Sequence, residues 1–347
     1  MTVLAQQHDG PGATTAPGPR RRLLGLVTAL LVLSALLVLS VLIGSTEISP
    51  SVVWNALFHP SADIDQFAIR DYRLPRTIIG LAVGVALGLS GALIQAITRN
   101  PLADPGVLGV HAGASFAVTV AVGVLGIREI QGYMWFAFAG ALIVTLMVLA
   151  LGSTRQGQSP VVMVLAGVCV GAVLGGAREA IQLTDPEAFD AMRSWNAGSI
   201  VGRPLDLLWP ILPLLAVALV LALAVSGPLN AMALGDDLAT AQGVHPARTR
   251  ILAVVALTLL AGGATAIAGP VAFVGLMVPH VARWIVGPNQ RWIFVYSILL
   301  APSLLLASDI VGRIVMRPGE IPVGIVTAFI GAPVLIILVR RNKASGL

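Results

Sequence analysis

The feature that most constrains this chain is a series of nine long segments without a charged residue. They cover residues 23–46, 77–98, 105–127, 130–154, 156–177, 207–235, 251–282, 292–308 and 321–339. A membrane-spanning helix needs about 20 consecutive apolar residues. The segment 251–282 is too long for one span, and we expect Gly269 and Pro270 to divide it into a helix ending near Ala268 and a helix from about Val271 to Val286. The pattern therefore predicts ten transmembrane helices.

The composition supports the same interpretation. Hydrophobic residues make up 57% of the chain and charged residues 11%, with a mean hydropathy of +0.92. A soluble domain carries roughly 25% charged residues, so this chain has too few charges to cover a surface that faces water. We therefore predict an all-α integral membrane protein. The net charge of +5 comes from loop arginines and indicates no nucleic-acid partner, and the single cysteine, Cys169, excludes an intrachain disulfide.

The two ends of the chain predict its orientation. Residues 1–19, rich in Gly, Pro, Thr and Ala, predict a disordered cytoplasmic tail, and residues 20–347 form the transmembrane domain. The first apolar segment starts like a signal peptide but is too long and has no small-x-small cleavage site, so it is taken as the first span. Basic residues at 20–22 and at 340, 341 and 343 place both termini in the cytoplasm. This orientation leaves eight arginines on the outer side: 70, 73, 76, 128, 193, 203, 313 and 317.

Several function classes are disfavoured by what the sequence lacks. Its only lysine is Lys343, whereas a phosphate-binding P-loop needs a lysine after its glycines, so this chain does not hydrolyse nucleotide. The five histidines show no metal-binding spacing and no nucleophile has a neighbouring base, so we expect a chain that is not an enzyme and binds no metal or cofactor. Ion-coupled carriers keep ionisable groups at mid-membrane. Here Glu179 and Asp309 lie near helix ends, so the energy comes from a partner or the protein is a passive channel.

Glycines spaced along two spans predict close helix packing. Glycines four residues apart lie on one helix face and allow a neighbouring backbone to approach. Both static packing and a gating role fit this spacing. The residues are Gly80, Gly84, Gly88 and Gly91 in the second span and Gly167, Gly171 and Gly175 in the fifth.

The polar stretch GDDLATAQGV, residues 235–244, lies between two strongly apolar spans and predicts a short cytoplasmic helix. Asp236 or Asp237 could cap its start and Gly243 could end it. A helix lying in the membrane interface would carry several large apolar residues, but only Leu238 and Val244 qualify. We therefore expect a helix that docks on a partner, through Asp236, Asp237, Leu238, Ala239, Gln242, Gly243 and Val244.

Three long motifs resemble one transporter family. They are RLPRTIIGLAVGVALGLSGALIQAITRNPLADPGVLGVHAGASFA (73–117), GPVAFVGLMVPHVARWIVG (269–287) and EIPVGIVTAFIGAPVLIILVRR (320–341). They are similar to the iron-siderophore and vitamin B12 permeases, the FecCD-type membrane subunits of binding-protein-dependent ABC importers. The resemblance runs from about residue 23 to 341, and the ending FIGAPVLIILVRR is most similar to the ferric enterobactin type. His111 departs from the family, which more often has a small polar residue there, and its role stays open.

The resemblance implies a type II importer fold of ten helices in the cell membrane. It also implies a second permease subunit, with a paralogous heterodimer favoured over a homodimer, two ATPase subunits that use ATP and Mg, and an extracytoplasmic binding protein. Residues 235–244 would be the coupling helix on the ATPase, and spans five and ten would line the path. The implied cargo is a ferric siderophore, most similar to the catecholate enterobactin. Vitamin B12 or haem as cargo, and an ion-coupled secondary carrier, are the alternatives.

The resemblance also suggests a role for outer arginines. The family's binding proteins present acidic residues, and arginine binds a carboxylate through two hydrogen bonds. The expected docking residues are Arg73, Arg76, Arg313 and Arg317. The alternative is pairing within the chain, of Arg70 or Arg73 with Asp71 and of Arg313 with Asp309 or Glu320.

Two further motifs near the cytoplasmic side are expected to be mainly structural. TRNPLADPG predicts a tight turn in which Asp104 caps the third span, with contact to the ATPase as an alternative. PHVAR places a histidine near the inner end of span eight, where a hydrogen-bonded structural role is favoured over metal binding. The residues of the two motifs are Asn100, Pro101, Asp104, Pro105 and Gly106, and Pro279, His280 and Arg283.

Overall fold

A computed structural model describes residues 18–59, 63–154, 157–158 and 160–344. Most of the predicted N-terminal tail, residues 1–17, lies outside the described residues. The described chain is almost entirely helical, and its one strand pair joins β1 (Ser153–Thr154) to β2 (Gly157–Gln158) in an antiparallel hairpin. The all-α class predicted from the apolar segments is therefore confirmed in its main feature.

Fourteen α-helices follow one another along the described chain. A π-helical turn, Ala68–Arg73, joins α3 to α4, and 3₁₀ turns at Pro105–Leu108 and Leu205–Leu207 precede α5 and α9. The helices are α1 (Pro19–Leu42), α2 (Pro50–Phe58), α3 (Ile64–Phe67), α4 (Leu74–Thr98), α5 (Val110–Gly123), α6 (Ile130–Gly152), α7 (Pro160–Thr184), α8 (Pro186–Asn196), α9 (Leu212–Met232), α10 (Asp236–Ala241), α11 (Pro246–Ala268), α12 (Val274–Val286), α13 (Gln290–Val315) and α14 (Val323–Ala344).

Seven stretches of helix are long and apolar enough to cross a membrane. Three others, α5, α12 and the first part of α14, are apolar but shorter. A 14-residue helix such as α5 is about 21 Å long, less than the roughly 30 Å of a bilayer core. The multi-span character is confirmed, whereas the count of ten crossings stays a prediction that depends on these three shorter helices. The seven are Pro19–Leu42, Ile64–Thr98, Ile130–Gly152, Val162–Thr184, Leu212–Met232, Pro246–Ala268 and Gln290–Val315.

The longest apolar segment divides where the sequence predicted. Helix α11 ends at Ala268, and Gly269 follows with φ +73°. The next helix begins at Val274, three residues later than expected, because Phe273 also takes a left-handed conformation with φ +68°. A Cβ on Gly269 would lie 2.2 Å from the Trp195 carbonyl oxygen. The break is therefore a packed joint that only glycine fits.

Helix α4 lies at the centre of the bundle and packs against α11, α12 and α13. A Cβ at Gly84 would lie 2.4 Å from the Cα of Pro302, and one at Gly88 would lie 2.5 Å from the Cβ of Ala301, so this face touches the backbone of α13. Gly91 faces α12 instead, where an added Cβ would meet the Gly275 carbonyl oxygen at 1.9 Å. Gly80 likewise abuts a side chain of α13, Leu306. Packing accounts for all four glycines of this span.

Helix α7 differs from α4 because it lies on the periphery, and only 6% of its most apolar 18-residue stretch is buried. A Cβ at Gly167 would lie 1.8 Å from the Val107 carbonyl oxygen, and at Gly171 it would make an ordinary contact with Ala112. Around Gly175 no described atom lies within 4 Å of the added Cβ, apart from those of its chain neighbours and of its own helix backbone. The glycine stripe of this helix is packed at one end and open at the other.

The contrast between Gly91 and Gly175 gives a direct test of the packing. Gly91→Ala should lower the free energy of unfolding by about 1–3 kcal/mol, since the backbone of α12 must move to admit the methyl group. Gly175→Ala is the matched control and should be neutral or slightly stabilising, because alanine favours helix and meets no neighbour. Thermal unfolding of the purified variants in detergent measures both. Equal stability of the two variants would contradict the central placement of α4.

Candidate functional site

The bundle has two ends, and chain direction defines them. The Tyr296 hydroxyl donates to the Arg22 carbonyl at 2.6 Å, and Arg313 donates to the Ser40 carbonyl at 2.7 Å, so α1 and α13 run parallel. Helix α4 runs the other way, because Gly88 packs near Ala301 while Arg76 binds Asp309. We call the end where α1 and α13 begin and α4 ends the terminal face. The other end is the opposite face.

Asp309 organises a buried charge cluster at the opposite face. Its side chain is fully buried and lies between two arginines. Arg76 donates from Nε at 3.0 Å and from Nη2 at 2.6 Å, and Arg313 donates from Nε at 3.0 Å and also from Nη2. The Nη1 atom of Arg76 donates to Glu320 Oε2 at 2.5 Å. Two carboxylates and two guanidinium groups therefore neutralise one another in a site sheltered from water.

Three arginines at the opposite face bind the carboxyl end of α1. The last carbonyls of a helix have no partner within the helix and carry its negative dipole charge. Arg313 donates to the carbonyls of Ser40 and Ile43, and Arg73 donates to those of Leu42 and Thr46, both at 2.8 Å. Arg317 donates to the Gly44 carbonyl at 3.2 Å. These arginines fix where the first span ends.

These contacts decide between the intrachain pairings considered from sequence. The pairing of Arg313 with Asp309 is confirmed, and Glu320 pairs with Arg76. The pairing of Arg73 with Asp71 is wrong, because the Arg73 guanidinium turns to the carbonyls that end α1.

The expected docking residues differ sharply in exposure. Arg73 is 6% exposed, Arg76 7% and Arg313 1%, whereas the side chain of Arg317 is 37% exposed beside a largely exposed Glu47. Docking of a binding protein stays a prediction, and Arg317 is the accessible member of the four.

At the terminal face, α10 confirms the short helix predicted for residues 235–244. Its C-terminal end is closed as expected, because Gly243, with φ +81°, donates to the Thr240 carbonyl and Val244 donates to the Ala239 carbonyl at 3.0 Å. The predicted cap by Asp236 or Asp237 is wrong. Gly235, with φ +117°, occupies the capping position and has no side chain that could cap the helix. The carboxylate of Asp236 binds two arginines instead.

Asp236 bridges three segments of the chain. Its Oδ1 accepts from Arg99 at 2.6 Å and its Oδ2 accepts from Arg250 at 2.6 Å. Arg99 also donates to the Met232 carbonyl at the end of α9. Burial alone would raise the pKa of Asp236, but the hydrogen bonds and charges of Arg250 and Arg99 outweigh it and hold that pKa below its ordinary value. The carboxylate therefore stays ionised at neutral pH and ties α10 to α4 and α11.

The seven residues expected to contact an ATPase fall on two sides of α10. Ala239 is fully buried against the bundle, Asp236 faces the two arginines, and Val244 is half-buried. The remaining four point outward: Asp237, Leu238, Gln242 and Gly243. Contact with an ATPase stays a prediction, and this outer edge is the surface available for it.

The turn after α4 is tight, as expected, and Asp104 caps the 3₁₀ turn that precedes α5. Asp104 accepts from the Gly106 N–H at 2.7 Å and caps the 3₁₀ turn at Pro105–Leu108. Helix α5 starts only at Val110, since Gly109 turns the chain with φ +78°. The cap by Asp104 is therefore found where the third span was predicted to start, at Pro105, but it closes a 3₁₀ turn, and α5 has Gly109 at its own capping position.

Close packing explains the small residues of this turn. The side-chain oxygen of Asn100 accepts from the Leu102 N–H at 2.9 Å, which closes a turn around Pro101. A Cβ at Gly106 would lie 2.9 Å from the ring of His111, whose Nδ1 is 3.2 Å from the Thr265 hydroxyl. The histidine thus links α5 to α11.

The PHVAR motif is buried where α12 meets the turn after α4. His280 is 3% exposed, lies edge-on to Trp284, and neither of its ring nitrogens has a hydrogen-bond partner among the described residues. The hydrogen bond expected for this histidine is therefore not found in the part of the chain that the structure describes. Arg283 donates to Gln95 Oε1 at 3.4 Å, which ties α12 to α4, and Pro279 lies inside α12.

Sequence reasoning missed the partners of Asp236. The two partners, Arg99 and Arg250, lie 137 and 14 residues away from it along the chain. Neither separation is a recognisable spacing, so only the fold brings the three side chains together.

Comparisons with known proteins match this architecture. The FecCD transport family matches residues 30–341. The chain is 48% identical over 323 residues to the ferric enterobactin transport system permease protein FepD of Escherichia coli (strain K12), a match covering 93% of this chain and 96% of the relative. It is 35% identical over 318 residues to the probable siderophore transport system permease protein YfiZ of Bacillus subtilis (strain 168), covering 91% and 96%.

Two solved structures share the fold. One, described as an inward-facing conformation of a metal-chelate type ABC transporter, has a TM-score of 0.80 at 28% identity and covers 92% of this chain and 99% of that one. The other, PsaBC from Streptococcus pneumoniae in complex with Fab, has a TM-score of 0.59 at 15% identity, covers 79% and 93%, and bears on the fold alone.

The charge cluster at the opposite face should be essential for folding. Asp309→Asn leaves Arg76 and Arg313 buried without their shared carboxylate and should lower the free energy of unfolding by about 3–5 kcal/mol. Arg317→Gln removes a partly exposed pair and should cost no more than about 1 kcal/mol. Denaturation of both variants in detergent, followed by tryptophan fluorescence, gives the comparison. An Asp309→Asn protein as stable as Arg317→Gln would overturn the assignment.

Proposed function

This chain belongs to the FecCD transport family, and from that premise we propose that it is the membrane permease subunit of an ABC importer that carries a ferric siderophore into the cytoplasm. The observation that carries the proposal is the 48% identity to a ferric enterobactin permease across nearly the full length of both chains. The catecholate class of siderophore is the proposed cargo. Vitamin B12 and haem are the alternatives.

The energy for transport is proposed to come from two ATPase subunits that bind ATP and Mg. The chain has no lysine that could serve a P-loop, so it is proposed to be a transport subunit and not an enzyme. The outer edge of α10 supplies a small rigid surface for the ATPase. Its backbone is closed at one end by Gly243 and its inner side is tied down by Asp236 and Ala239.

Orientation follows from the distribution of charge. Arg20, Arg21 and Arg22 lie at the start of α1, and Arg248 and Arg250 lie in the first turns of α11, all at the terminal face. Basic residues favour the cytoplasmic side of a membrane. We therefore assign the terminal face and both chain termini to the cytoplasm, and the opposite face to the extracytoplasmic side of the cell membrane.

The remaining partners are a second permease subunit and an extracytoplasmic binding protein. The exposed apolar face of α7 fits a span that lines a path or meets a second subunit, together with α14. A paralogous heterodimer is favoured over a homodimer. Arg317 is assigned to contact with the binding protein, and co-purification of that protein with an Arg317→Glu variant tests the assignment.

Transport would then proceed by alternating access. ATP closes the two ATPases, their motion is passed to α10, and the permease changes between shapes open to one side or the other. The drive is the difference in affinity of the partner states for these two shapes.

Uptake of single labelled compounds tests the cargo. In a strain lacking this gene and starved for iron, uptake of a labelled ferric catecholate should be lost, while uptake of haem, cobalamin and a ferric hydroxamate should be retained. A plasmid copy of the gene is the control and should restore uptake. Loss of cobalamin or haem uptake alone would replace the siderophore with that cargo, and catecholate uptake that persists without the ATPase genes would favour a secondary carrier.

Bulky substitutions on the outer edge of α10 test the contact with the ATPase. Asp237→Trp with Gln242→Trp should abolish transport because the side chains obstruct docking, while the fold remains intact since both positions are exposed. Leu125→Trp, on an exposed loop at the opposite face, is the control for an added tryptophan. Co-purification of the ATPase with each variant, together with siderophore uptake, measures the effect. Normal uptake by the double variant would refute the docking role.

A further inference from the structure

Among the described residues of α10, Asp236 is the one whose carboxylate binds charged side chains of two other segments, Arg99 and Arg250. Arg99 follows the last residue of α4 and is held in a left-handed conformation with φ +52°. Arg250 lies in the second turn of α11. We call Arg99, Asp236 and Arg250 the inner charge bridge. It fastens the proposed ATPase-docking helix to the inner ends of α4 and α11.

Helix α4 is suited to carry a displacement across the membrane. It has 25 residues, which corresponds to about 37 Å of helix. Gly84, Gly88 and Gly91 bring its backbone into contact with α12 and α13, so it cannot shift without moving them. At its outer end Arg76 is fixed by Asp309 and Glu320. One rigid element thus has a charged anchor at each end.

We propose that Asp236 is a positioning residue that couples α10 to α4, so that a movement of α10 is passed through α4 to the Arg76–Asp309 cluster at the opposite face. This inference rests on the proposed function, because it needs an ATPase at α10 and a binding protein at the opposite face. Its reciprocal consequence is that binding-protein affinity depends on the nucleotide state of the ATPase through this bridge.

A purely local role for the bridge makes a different prediction. Asp236 is 39% exposed and its two arginine partners are 46% and 30% exposed, so the pairs contribute little to stability. If the bridge only stabilised α10, its loss would lower the unfolding temperature and weaken ATPase binding without changing how much ATP is used for each siderophore carried. Transmission, in contrast, is measured by that ratio.

The experiment uses the complete transporter in proteoliposomes, with Asp236→Asn and Arg250→Gln as the test variants. Arg248→Gln is the matched control. Arg248 is exposed on the same helix as Arg250 and has no hydrogen bond or ion pair with the part of the chain that the structure describes. Its replacement by Gln removes one positive charge, as Arg250→Gln does. Siderophore uptake, ATP hydrolysis and binding-protein affinity with and without ATP are measured for each complex.

Both test variants should raise the ATP consumed per siderophore by about fivefold or more and reduce the effect of ATP on binding-protein affinity by a similar factor. Arg248→Gln should match the wild type in both. Asp236→Glu, which keeps the charge, should recover most of the coupling, and a wild-type unfolding temperature for Asp236→Asn should exclude a folding defect.

The outcomes separate this inference from the proposed function. A wild-type complex that carries no ferric siderophore would remove the proposed function. If the wild-type complex transports and Arg250→Gln behaves as Arg248→Gln does, the coupling role of the inner charge bridge is refuted while the function stands. A lower unfolding temperature with an unchanged ATP-to-siderophore ratio would refute it in the same way.

Discussion

The architecture depends on the backbone contact that α4 makes with α12 and α13. Within lipid, apolar burial does little to hold helices together, and association comes from close packing of small residues. Gly84, Gly88 and Gly91 supply that packing, and each is so near a neighbouring helix that any side chain would collide. The central helix is therefore a rigid element that is tightly joined to α12 and α13, whereas α7 lies on the periphery.

Charge is placed at the two ends of this central helix and neutralised there. At one end Asp309 is shared by Arg76 and Arg313, and at the other Asp236 is shared by Arg99 and Arg250. The two sites differ in solvent access. The first is buried and structural, because an unpaired charge there is costly, whereas the second is partly exposed and contributes little to stability. A group that is weakly stabilising but bridges three segments is well suited to transmit motion.

The fold was largely predictable because lipid imposes a simple rule on sequence. Charge-free segments marked most spans, and the left-handed glycines Gly243 and Gly269 ended helices where their lack of a Cβ is needed. The charged sites were less predictable. Whether Arg76 faces a partner protein or Asp309 depends on contacts 233 residues apart, which no local pattern encodes. The wrong cap prediction at Asp236 has the same origin, since a carboxylate near a helix start can either cap that helix or pair with a distant arginine.

We propose that this permease receives the energy for transport from the ATPase through the small outer surface of α10. Reconstitution into liposomes tests it most directly, by comparing concentrative uptake of a ferric catecholate by the permease alone under an ion gradient with uptake by the complete complex given ATP. We expect accumulation only in the second case, with none when ATP is withheld. Accumulation by the permease alone under the ion gradient would contradict it.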